Sequence, residues 1–306
     1  MDSVCRQALS TLPNPLAEYT GISSVDRALC NLVVFFSASV EQPVLPLGLA
    51  FISQLSAPCI LVILECMRTF GNANGVTVST IVGILYQTLG GGVICTLFWL
   101  WHVLQYTSNY SKAPMLSNRA VQSSMVGIVF GLLLPSMVMF LLPTPGIIAL
   151  WQPFPVWVGL IQCAFLAFPV ALKPALAPHS RTMQVVFGLL VIQCTACHWM
   201  SISMALQQPH SPLQSLINTF GPRLTISSKA ETTIPMAVQQ LLKWDLISIF
   251  GSTLLAILWT TEKSKGDVWN PYLSVLGLPL LGPGTVCLMA WKHREEKWNT
   301  QSVKVV

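Results

Sequence analysis

Apolar residues run along this chain in long unbroken stretches, separated by short clusters of charge, proline and serine. Taking about 20 apolar residues as one crossing of a bilayer, the runs predict helices over 24–41, 47–69, 77–102, 121–142, 156–173, 183–205, 236–260 and 271–291. The first is short and ends at "SVEQP", so partial insertion and full crossing both stand. The expected fold is an all-α integral membrane protein, a polytopic bundle of seven to eight transmembrane helices. Continuous runs, without the period-two alternation of lumen-facing strands, argue against a barrel. Pro58, Pro135, Pro169 and the triplet Gly90, Gly91 and Gly92 punctuate the helices, where they kink them or let backbones approach closely.

Composition agrees with that pattern. Of 306 residues, 53% are hydrophobic and 9% charged, where soluble domains carry roughly a quarter charged residues. Mean hydropathy is +0.64. Nothing is left over for a second, soluble domain, so residues 1–306 read as one polytopic membrane domain with short polar tails. The N-terminus lacks the basic and apolar regions of a cleavable signal, which leaves targeting to the first hydrophobic helix.

The net charge of +5 is spread over loops and the tail "WKHREEKW". It suggests no nucleic-acid partner and fits basic groups at a lipid headgroup surface. In an eight-span topology the side holding both termini collects Arg6, Arg27, Arg68, Arg223, Lys229, Lys243 and the C-terminal cluster, so positive charge places both termini in the cytoplasm. The sequon at Asn109 then falls on the lumenal side.

The nine cysteines lie mostly inside apolar runs, where a thiol behaves as a small hydrophobe, so no disulfide framework is expected. "CTACH" at 194–198 matches the c-type haem attachment pattern. Its apolar flanks make it the interior of a spanning helix, where a haem has nowhere to sit.

Eleven acids are few enough to weigh singly. Most fall in tails or loops. Three do not: Asp26 begins the first segment, Glu65 lies near the end of the second, and Asp245 lies about a third of the way into the seventh. Alternating the helices through the membrane puts all three on one side, where they can converge on one cavity. Arg68 follows Glu65 by one turn on the same helix face. A charge at the bilayer centre costs on the order of 2.5–3.5 kcal/mol, so each group needs compensation or an interface. The structural alternative is a Glu65–Arg68 pair reaching to the headgroups, with Asp26 and Asp245 as caps. His198 and Trp199 lie toward the same side. Most tryptophans mark interfaces, but Trp244 and Trp151 are candidate pocket walls.

The chain has no paired aspartate-rich motifs to cage magnesium around a diphosphate, no Walker loop, no GxSxG and no HExxH. No metal or other cofactor is expected. Isolated acids point to proton chemistry on an uncharged lipid-like substrate, or to no chemistry.

"YTGISSVDRALCNLVVFF" at 19–36, "ECMRTFGN" at 65–72 and "LLKWDLISIFGSTLLAILW" at 241–259 resemble the membrane-bound terpene cyclases of fungal meroterpenoid biosynthesis, of the ascochlorin and ascofuranone type. Related indole-diterpene pathway proteins stand alongside. The resemblance implies cyclisation of a prenylated substrate, usually a farnesyl chain epoxidised at its terminal alkene, in fungal terpenoid secondary metabolism. An acid protonates the epoxide, the polyene closes through carbocations, and a base takes the last proton. On this chain the acids are Glu65 and Asp245, with Asp26 as a third candidate. Arg68 positions or tunes Glu65. Apart from the resemblance, Trp151, Trp199 and Trp244 are candidate substrate contacts, and His198 is either another or a hydrogen-bonded packing residue. An epoxidising monooxygenase and a prenyltransferase are the implied pathway partners, and the endoplasmic reticulum is the expected membrane.

Burial in a dry cavity favours a neutral carboxylic acid that can donate a proton, whereas a guanidinium beside it favours the anion. The Glu65–Arg68 spacing therefore makes Asp245 at least as good an acid as Glu65. A transporter of a hydrophobic metabolite and a non-catalytic pathway scaffold are the competing readings. The first calls for repeat symmetry and polar groups strung across the membrane, the second for dispensable acids.

Overall fold

The structure is a computed structural model, and it describes residues 19–109, 116–168, 180–223, 233–262 and 271–303. Those residues form helices joined by short turns, with no strand among them. The elements are α1 (Ser23–Ser39), α2 (Leu45–Gln54), α3 (Ser56–Phe70), α4 (Asn72–Leu89) and α5 (Gly91–Asn109). Next come α6 (Asn118–Ile128), a π-helical turn (Val129–Leu133), α7 (Leu134–Leu141), α8 (Pro145–Trp151) and α9 (Phe154–Ala167). The chain continues through α10 (Ser180–Leu206), α11 (Pro212–Phe220), α12 (Ile234–Glu262), α13 (Pro271–Leu281) and α14 (Pro283–Val303).

Four stretches are long and apolar enough to cross a membrane: Leu45–Phe70, Asn118–Leu141, Arg181–Leu206 and Ile234–Thr261. A fifth joins them if α8 and α9, bent by 53°, count as one. The Leu45–Phe70 stretch is the hub, with 94% of its most apolar window buried. The π-helical turn directly precedes Pro135, which has no N–H and whose ring pushes away the carbonyl four residues back, so the ladder widens there.

Two glycines redraw the expected spans. The run 77–102 is not one helix. Gly90, at φ 101°, turns the chain so that α5 runs back along α4. Phe70, at the end of α3, stacks on Trp101 of α5 with ring centroids 5.8 Å apart. Likewise 271–291 breaks at Gly282, at φ 87°. Gly277 lies against Val286, whereas nine residues of straight helix would part them by about 13 Å. So α13 and α14 fold onto each other at mid-depth, beside Gln54 and His198. Helix α11 fell in no expected span, and residues 169–173 of the expected fifth span lie outside the described residues.

These turns define two ends of the bundle. At one, Asp245 meets Gly92, Gln87 meets Gln152 and Trp151 meets Ser136. At the other, Glu65, His102 and Arg294 gather, and Ser124 meets Met67. Helix α1 lies across the first end rather than descending from it. Its start borders Ile84 and Gln87, while Phe36 packs on Trp151 with centroids 4.8 Å apart.

Cys30, on α1, is disulfide-bonded, while the other described cysteines are free. Cys194 sits buried in the middle of α10, as its apolar flanks require.

Candidate active site

The three candidate acids do not share a cavity. From Gly92, which holds Asp245, to His102, which faces Glu65, helix α5 rises ten residues, or about 15 Å. From Asp245 to Thr260, which binds Arg294, helix α12 spans fifteen residues, or about 22 Å. Asp26 and Asp245 belong to one end and Glu65 to the other. The single-side expectation counted 77–102 as one crossing, and the turn at Gly90 reverses the parity of every segment after it.

Glu65 is fully buried and heavily partnered. Its Oε1 accepts from Trp291 Nε1 at 2.7 Å and pairs with Arg294 Nη2. Its Oε2 lies 3.5 Å from both Arg68 Nε and His102 Nε2. Arg68 Nη2 donates to Glu295 Oε2 at 2.6 Å, and Arg294 also reaches Glu295 Oε1 at 3.2 Å and Thr260 Oγ1 at 3.1 Å. Both guanidiniums lie near the Trp291 ring, at 5.3 Å and 5.8 Å from its centroid. Phe187 stacks on Trp291 at 5.0 Å. Two carboxylates and two guanidiniums thus close a dry network joining α3, α5, α12 and α14. A carboxylate held this way is a poor proton donor, because removing its charge leaves buried cations uncompensated.

Asp245 is half-buried and, among the described residues, makes no ion pair. Its Oδ1 accepts from Gly92 N at 3.0 Å, at the first turn of α5. A Cβ on Gly92 would stand 2.8 Å from that oxygen, so a side chain there displaces the carboxyl. One residue earlier, a Cβ on Gly91 would stand 2.4 Å from the ring of Tyr86. Successive glycines of α5 thus receive a phenol and a carboxyl. Tyr86, but not Asp245, borders a small cavity of about 50 Å³, walled also by Cys59, Val62, Cys95, Phe154 and Val158 among others.

Asp26 ties down the chain before α1. Its carboxylate accepts from the amides of Tyr19, Thr20 and Gly21 and from the Thr20 hydroxyl at 2.7 Å. Asp26 thus anchors the segment before the helix and does not cap the helix itself, and among the described residues no cation pairs with it.

The aromatic candidates divide. Trp151 is packed in the core, donating to Ser136 Oγ at 2.8 Å. Trp199 and Trp244 are 49% and 40% exposed on the outer surface, and neither lines the cavities described here. His198 does line one, an apolar chamber of about 650 Å³ shared with Gln54, Ile202, Phe220 and Phe250, and its Nε2 lies 3.0 Å from the Pro279 carbonyl. Sequence reasoning passed over Tyr86, His102, Trp291, Arg294 and Glu295. The last three lie at i, i+3 and i+4, one helix face, a signal masked by reading "WKHREEKW" as a solvated tail.

Residues 3–298 match the CtvD domain, and the chain belongs to that family. Among curated proteins it is similar to terpene cyclase janA of Penicillium janthinellum, 26% identical over 95% of this chain and 85% of that protein. It is likewise similar to terpene cyclase ascI of Acremonium egyptiacum, 26% identical over 93% of this chain and 81% of the relative. Terpene cyclase atmA of Aspergillus flavus is 23% identical over 81% and 72% respectively. No solved structure matches.

Proposed function

We propose that this protein is a membrane-embedded terpene cyclase that protonates and cyclises a prenylated substrate, an epoxyfarnesyl arene in the simplest case, without a metal. The observation that carries this reading is that relatives named terpene cyclases align over 81–95% of the chain. The likeness is thus to the whole bundle and not to one shared helix. In this reading the seven runs 45–70, 72–89, 91–109, 118–141, 145–167, 180–206 and 234–262 cross the bilayer, α1 lies at its surface, and α13–α14 enters and returns. The membrane is that of the endoplasmic reticulum, where a lipophilic substrate from a prenyltransferase and an epoxidising monooxygenase arrives through the bilayer.

Asp245 is the acid. In its neutral form the carbonyl-type oxygen keeps the Gly92 N–H bond while the hydroxyl is free to donate. Its proton passes to the oxirane oxygen, the C–O bond opens to a hydroxyl and a carbocation, and the alkenes close in turn. A proton lost from the last cation to a base completes an isomerisation with no change of mass. The Gly92 amide then steadies the carboxylate left behind, which is stabilisation placed where charge develops. Phe154 and Tyr86, edge to face with centroids 6.5 Å apart, offer π faces to cationic intermediates, at about 0.5–2 kcal/mol each. Glu65 stays ionised and fixes α14 to the bundle.

Microsomes from a host expressing the protein, given an epoxyfarnesylated arene, test this. The expected product is a cyclised isomer of unchanged mass, identified by NMR. Absence of any such isomer across several epoxides ends the cyclase reading.

A further inference from the structure

Resting on that cyclase reading, we infer that the hydroxyl of Tyr86 is the hydrogen-bond donor that receives the oxygen of the substrate's prenyl end. Tyr86 is 8% exposed, and among the described residues its hydroxyl has no hydrogen-bond partner. A buried hydroxyl without a partner is costly, and native folds seldom keep one without a use. The ring lines the small cavity and is locked by Gly91, whose missing Cβ would otherwise strike it. The other hydroxyls in the wall are already spent. Ser79 donates to the Val76 carbonyl at 3.0 Å and Thr80 to the same carbonyl at 2.8 Å. The remaining lining is thiol, aliphatic and aromatic. A ligand oxygen entering here meets one hydroxyl whose donor is unspent.

The cavity's size narrows the ligand. Its volume of about 50 Å³ compares with the roughly 10–15 Å³ that a cavity needs to hold one water. It admits a small oxygen-bearing end group, such as a substituted oxirane, and not a whole farnesyl chain. Gly91 packs on Tyr86 and Gly92 on Asp245, so the carboxyl that donates the proton comes from the next position of α5, outside the lining of the cavity itself. Tyr86 transfers no proton itself; it orients the oxygen.

Tyr86→Phe tests this cleanly, because it keeps the ring against Gly91 and deletes only the hydroxyl. Binding to purified protein is measured for two probes, an epoxyfarnesyl arene and its farnesyl counterpart lacking the oxygen, together with thermal unfolding without ligand. The expected result is a loss of roughly 10- to 100-fold in affinity for the epoxide, unchanged affinity for the alkene, and unaltered or raised stability, since an unpaired buried group has been removed. Turnover falls with the epoxide affinity. Equal affinity of the two probes for the wild-type protein overturns the inference. So does a Tyr86→Phe protein that is less stable and weaker toward both probes alike, the signature of a hydroxyl serving a buried water. A wild-type protein that prefers the epoxide yet forms no isomer separates the outcomes: the binding role stands and the cyclase reading falls.

Discussion

The two ends of this bundle treat a carboxyl in opposite ways. Around Glu65, two guanidiniums, an indole N–H and an imidazole surround one acid in a site closed to solvent. Around Asp245, the backbone amides of Gly92 and Gly91 hold the carboxyl, and among the described residues no cation pairs with it. The first arrangement fixes charge and pins helices. The second leaves a carboxyl able to change protonation state without stranding a buried partner. An ionisable group inside a membrane protein is therefore read by what would be left unpaired if it lost its charge, not by its presence alone.

The contrast is most forcefully broken at Arg294. Replacing Arg294 with Met leaves Glu65 and Glu295 short of a cation, and stability is expected to fall by about 3–5 kcal/mol, measured by chemical or thermal unfolding in detergent. Pairing it with Glu65→Gln sharpens the point. The double variant is expected to recover part of the loss, with a coupling energy of about 1–3 kcal/mol; strict additivity contradicts a shared network. At the other end, Gly92→Ala pushes a methyl against Asp245 Oδ1, for which a turnover loss of about 10- to 100-fold is expected from the displaced carboxyl, with a stability cost of only about 1–3 kcal/mol. The smallest effect belongs to Asp26→Asn: unchanged turnover, with faster amide exchange at Tyr19, Thr20 and Gly21, whose N–H groups it holds.

Much of this was legible in the residues. Apolar runs located the helices, and the three-residue spacing of Glu65 and Arg68 foretold a pair that weakens Glu65 as an acid. What hydropathy could not resolve was the path between runs. Gly90 sits inside a stretch apolar enough to look like one crossing, and only its positive φ reveals a hairpin. The same limit hid the partners of Glu65, since Trp291 and Arg294 lie 226 and 229 residues away. A helical face of Trp, Arg and Glu near the C-terminus carried the clue, but nothing local says which buried acid it answers. Tyr86 was invisible for another reason. A tyrosine in an apolar helix is ordinary, and only the count of hydroxyls already bonded to Val76 singles it out.

The central claim is that chemistry belongs to the Asp245 end. Its most direct test is the single-turnover rate of Asp245→Asn, with an epoxyfarnesyl arene, per molecule of folded protein. Asparagine keeps an oxygen for the Gly92 amide and lacks the acidic proton. The expected rate is lower by about 10²- to 10⁴-fold, with the unfolding transition unmoved. A folded Asp245→Asn protein that cyclises at the wild-type rate contradicts the account.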